Sequence, residues 1–98
     1  MAYGIVLEFS GVDKSQYDAV NEKLGIDMAK GTGNWPAGLT SHMGGTTPDG
    51  GLLVTEVWES KAHQEAFMAS RLGAALGAVG VPEPVRVTEL DVVGYATP

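Results

Sequence analysis

Apolar and polar positions alternate with period two over LLVTEVWES, Leu52 to Ser60, and the even positions read Leu52, Val54, Glu56, Trp58 and Ser60. A carboxylate and an indole thus share one strand face with aliphatic residues, which predicts that this face meets more than plain core. YGIVLEF (3–9), a weaker AGLTSHMGGT (37–46) and VRVTELDVVGY (85–95) also read as strands. The turn chemistry of Thr46-Thr47-Pro48-Asp49-Gly50-Gly51 joins the second strand to the third as a hairpin.

Two segments carry the helical period instead. Asp13 and Gln16 have the spacing of a capping box, Tyr17, Val20 and Leu24 follow on one stripe, and Gly25 is the natural stop. Ser60 caps a second helix from Lys61 to about Ala78, with Met68, Leu72, Ala75, Leu76 and Val79 as its apolar stripe. The stretch 25–36, GIDMAKGTGNWP, has no periodicity and reads as a loop; Val81-Pro82-Glu83-Pro84 is an extended connector.

The resulting order, strand, helix, strand, strand, helix, strand, predicts an α+β, ferredoxin-like βαββαβ domain over 1–98. Its four-stranded antiparallel sheet would carry both helices on one face. In such a sheet the third strand lies between the first and second. The third strand offers Leu53 and Val57 to the other face, and the fourth is apolar on both parities at Val85, Val87, Leu90, Val92 and Val93; a second copy of the chain is the commonest cover for such a surface. A homodimer is the expectation.

With 98 residues the chain has room for one modest core. Six Lys plus Arg against twelve Asp plus Glu give a net charge of −6, and no basic run offsets it, so no nucleic-acid partner is expected. No apolar run is long enough to suggest a membrane span, and the N-terminus reads as a strand rather than a signal peptide, so cytoplasmic residence is the expectation. Cysteine is absent, which removes disulfides and thiolate chemistry. His42 and His63 lack metal-ligand spacing, Gly31-Thr32-Gly33 follows a helix instead of a strand, and no Gly-x-Ser-x-Gly elbow occurs. Neither a metal nor a cofactor is expected.

Three ionisable residues sit mid-strand: Glu8 in IVLEF, His42 in LTSHM and Glu56 in VTEVW. If all three point to the helix side they form a carboxylate–imidazole–carboxylate cluster suited to proton transfer; otherwise Glu8 and Glu56 pair with Arg86 and lysines while His42 is solvated. Trp58 is a core anchor or a pocket wall for a planar ligand, and Trp35 pins its loop or closes the pocket mouth. Phe67 edges the pocket or packs in the core. His63, early in the second helix, reads as solvent-facing.

VWESKAHQEAFMAS, residues 57–70, together with the element order, resembles the dimeric α+β barrel superfamily, which includes the antibiotic biosynthesis monooxygenase (ABM) domains. The resemblance implies that two sheets face one another across a dimer, with Leu53, Thr55 and Val57 at the seam, while Glu56 and Trp58 point into a small-molecule pocket. Oxygenase members use an Asn on the first strand, the third-strand Trp and a His or Tyr on or after the second helix. Only Trp58 carries over; Glu8 stands nearest the Asn, and neither His nor Tyr follows Leu76 before Tyr95. The expected function is binding of an apolar or aromatic small molecule, with cofactor-independent monooxygenation, isomerisation or cyclisation as its chemistry. The alternative is a non-catalytic binding or stress-associated dimer.

Overall fold

The computed structural model describes residues 2–98. Four strands, β1 (Tyr3–Ser10), β4 (Leu39–Thr46), β5 (Gly51–Trp58) and β6 (Arg86–Asp91), form an antiparallel sheet in the order β4-β5-β1-β6. One face is covered by α1 (Lys14–Leu24) and by a second, composite helix. The segment between α1 and β4 is not wholly irregular: β2 (Ile26–Asp27) and β3 (Thr32–Gly33) pair as a two-residue ladder.

The α1 boundaries follow from side-chain chemistry. Asp13 accepts from the Gln16 amide, the Gln16 side chain accepts from the Asp13 amide, and Gly25 ends the helix in the left-handed region at φ 75°. Strand parity then sets the core. Ile5, Leu7 and Phe9 of β1 and Leu52, Val54 and Trp58 of β5 point under the helices and meet Val20 and Leu24 of α1.

The second helix departs from simple periodicity. It runs as α2 (Lys61–Phe67), a π-helical turn (Met68–Leu72) and α3 (Gly73–Val79). The wider turn inserts an extra residue into the stripe, so the inward positions are Gln64, Phe67, Leu72 and Ala75, spaced three, five and three. Met68, expected on the apolar stripe, is only half-buried, and Phe67 takes the inner place. Arg71 lies on this turn. Its guanidinium stacks 5.3 Å from the Phe67 ring centroid and its Nη2 donates to Leu24 O at 2.9 Å and Asn34 O at 2.6 Å. One side chain therefore ties the end of α1, the loop before β4 and the second helix together.

The sheet's other face carries Ser41, Met43, Leu53, Thr55, Val57, Val6, Glu8 and Leu90, read from the strand register. Met43 and Leu90 on this face are exposed. Among the described residues no helix is long and apolar enough to cross a membrane.

Candidate functional site

The opening strand LLVTEVWES delivers Glu56 to the helix side, where it is buried. Its carboxylate accepts twice: His42 Nδ1 lies 2.8 Å from Oε2, and Trp58 Nε1 donates to Oε1 at 3.2 Å. On the far side of the imidazole, His42 Nε2 is 2.6 Å from the Tyr17 hydroxyl. A continuous chain, Tyr17–His42–Glu56–Trp58, thus crosses from α1 over β4 to β5.

The hairpin register puts His42 there. Pairing runs without a break from Thr46 opposite Leu52 to Ser41 opposite Val57, so that His42 opposes Glu56 on the helix side. The register slips only beyond it, between Leu39 and Ser41, where the extra residue Thr40 lets Leu39 oppose Trp58. Gly44 makes room for the next member: a Cβ at this position would lie 2.6 Å from the Tyr17 ring and hydroxyl. Any side chain there would push the phenol away from His42.

The protonation pattern follows from the donors. A carboxylate accepting from both His42 Nδ1 and Trp58 Nε1 holds the imidazole in the Nδ1–H form, which leaves Nε2 to accept from the Tyr17 O–H. Burial raises the Tyr17 phenol above its ordinary pKa; the nearby Asn21 amide opposes this, and the Glu56 and Asp18 carboxylates add to the rise. Tyr17 therefore keeps its proton through the neutral range unless the imidazole takes it. Glu56, desolvated but doubly hydrogen-bonded, is the orienting group.

A part-open, mainly apolar cavity of about 60 Å³ lies between sheet and helices, with His42, Glu56, Tyr17, Trp35, Phe67 and Asn21 among its walls. Trp35 sits on the loop before β4, held by its Nε1 donating to Gly31 O at 3.0 Å, and its ring centroid is 5.8 Å from that of His42. Phe67 lines the cavity with one part and packs on Trp58 with another, at 5.6 Å between centroids.

Two of the expected site residues stand elsewhere. Glu8 is on the opposite face of the sheet, because β1 turns its odd positions to the helices; it is part-exposed and 3.6 Å from Arg86 Nε. It cannot join the His42–Glu56 pair. Trp58, read as either a core anchor or a pocket wall, is the core anchor: it is 0% exposed, is not among the cavity's lining residues, and stands behind Glu56, where it holds the carboxylate in place. His63 packs its ring beneath Gly38 and meets Ser60 Oγ at 2.7 Å. The sequence reading missed Tyr17 and Asn21 as site residues. The available signal was their separation of four on α1, which puts a phenol and an amide on one face.

Among the described residues no group of three or more His, Cys, Asp or Glu is placed to hold a metal ion.

Alkaline titration reports on two part-buried phenols. Tyr3, raised by burial and by its hydrogen bond to Glu89, behaves like Tyr17. Because both phenols titrate higher folded than unfolded, the unfolded chain sheds its protons first as pH climbs past about 10. Their contribution is complete below that pH and is lost as pH rises toward the folded values. Urea midpoints measured from about pH 8 to pH 11 are expected to fall, and Tyr17→Phe should flatten the slope. An unaltered slope in Tyr17→Phe would count against the burial of this phenol.

The fold is that of the ABM-like α+β proteins. An antibiotic biosynthesis monooxygenase assignment from Chloroflexus aurantiacus J-10-fl superposes with TM-score 0.69 at 16% identity, covering 99% of this chain and 98% of that one. Rv0793 from Mycobacterium tuberculosis gives 0.69 at 18%, covering 99% and 100%. A monooxygenase from the ActVA-Orf6 gene of Streptomyces coelicolor, determined with nanaomycin D, gives 0.63 at 19%, covering 99% and 92%. No protein-family model and no curated protein matches the sequence.

Proposed function

We propose that the chain is a homodimeric small-molecule-binding protein that moves a proton without a cofactor, in the manner of a monooxygenase, isomerase or cyclase. The observation that carries this reading is the Tyr17–His42–Glu56 chain at the wall of an apolar cavity. A ligand X–H at the Tyr17 oxygen would pass its proton to Oη as the phenol proton passes to His42 Nε2. The ligand anion and an imidazolium result, with the Glu56 carboxylate facing the new positive charge. Trp58 and Phe67 keep this carboxylate in place and dry. The nanaomycin D complex of a similarly folded monooxygenase supports an apolar, aromatic occupant. Dimerisation through the uncovered sheet face would hide Met43, Val57 and Leu90. The second reading is a non-catalytic binder, favoured by the fact that Glu56 and His42 already satisfy one another.

Native mass spectrometry of the gently purified protein tests the proposal. The expected spectrum is a dimer bearing a discrete added mass; a bare monomer would contradict it. Val57→Asp, which places a charge on the uncovered face, is expected to yield monomer, and a stable dimer of this variant would place the interface elsewhere.

A further inference from the structure

We infer that the cavity is built for a neutral ligand with a carbonyl oxygen, docked on the side-chain amide of Asn21; this rests on the ligand-cavity reading above. Asn21 is 7% exposed and its Nδ2 has no hydrogen-bond partner among the described residues. The amide stands one helical turn from Tyr17, close enough to favour the ionised phenol. A buried, unspent donor costs stability unless something accepts from it. The cavity that Asn21 lines is where the acceptor would sit.

The route inward narrows the ligand's charge. A broad cleft of about 800 Å³ runs between α1, the segment 26–29 and the end of β4, and it shares Tyr17, Asn21, Ile26 and Leu52 with the inner cavity. Tyr17 and Asn21 therefore face both spaces. The cleft's charged residues are Asp18, Glu22, Asp27 and Lys14, and Lys14 is already held by Asp18 at 2.6 Å. Among the described residues Glu22 and Asp27 have no cationic side chain in ion-pair contact, and Glu56 lies in the inner wall, so an anion entering the cleft meets a net negative field. A carbonyl oxygen accepts from Asn21 without bringing charge. In that position the oxygen lies beside the Tyr17 hydroxyl, so a proton next to the carbonyl would be offered to the relay.

The test compares cyclohexanone with methylenecyclohexane, which has the same shape without the acceptor, and with cyclohexanecarboxylate, using amide NMR titrations. In the wild type, cyclohexanone is expected to shift the Asn21 side-chain NH₂ signals, methylenecyclohexane to bind without doing so, and the carboxylate to bind more weakly than either. Asn21→Leu should weaken cyclohexanone about tenfold and leave methylenecyclohexane within about twofold. If both neutral probes bind but the Asn21 signals stay put, or both lose affinity equally in the variant, the carbonyl assignment is overturned and the cavity stands. Tighter binding of the carboxylate would overturn it as well. If no probe binds the wild type, the cavity reading falls with it.

Discussion

Trp58→Ala is expected to remove about 3–5 kcal/mol of folding stability, the range for truncating a fully buried large aromatic side chain. The indole is 0% exposed and packs on Phe67, and its Nε1 is one of two donors to a buried carboxylate among the described residues. The truncation therefore opens a cavity and removes a partner from Glu56 at once. Against the roughly 5–15 kcal/mol that hold a domain together, this is a large fraction of the margin. Urea unfolding by circular dichroism measures it, and a loss below about 1 kcal/mol would contradict the anchoring role. Trp58→Phe separates the two contributions, since it fills much of the space but cannot donate.

Glu56→Gln should leave the fold in place and abolish proton transfer. The glutamine oxygen can still accept from Trp58, but its NH₂ then faces His42 Nδ1 and donates. The imidazole is forced into the Nε2–H form, and Tyr17 loses its proton acceptor. Turnover of a ligand recovered from the native protein is expected to fall by about 10²–10⁴-fold, with an almost unchanged unfolding midpoint. Turnover at the wild-type rate would remove Glu56 from the mechanism and favour the binding-only reading.

Much of this arrangement was legible in the residues. The capping box at Asp13, the turn at Pro48-Asp49-Gly50 and the two periodicities place six elements, and the alternation of LLVTEVWES carries Glu56 to the helix side. The ferredoxin-like order then sets the second strand beside the third, which makes His42 and Glu56 neighbours. Glu8 was misplaced because counting residue types mid-strand does not say which parity faces the helices. That depends on the Ile5, Leu7 and Phe9 set, whose burial outweighs any placement of one carboxylate.

Two irregularities escaped pattern reading altogether. The bulge at Thr40 is fixed by pairing with β5, a contact between distant residues. The π-helical turn is similarly tertiary. Moving the inward position from Met68 to Phe67 lets Arg71 reach the carbonyls of Leu24 and Asn34, and only the assembled loop supplies those acceptors. Tyr17 looked like core because it lies on the α1 stripe. Its role depends on Gly44, whose missing side chain admits the phenol to His42.

The most direct test of the central claim, that Glu56 orients His42 to accept a proton through Tyr17, is the ¹⁵N NMR spectrum of the His42 ring at about pH 8, where an ordinary imidazole is neutral. The account predicts a protonated Nδ1 and a bare Nε2, converting to the opposite tautomer in Glu56→Gln. A wild-type ring protonated at Nε2 with Nδ1 bare would contradict it, because neither Glu56 nor Tyr17 could then act as described.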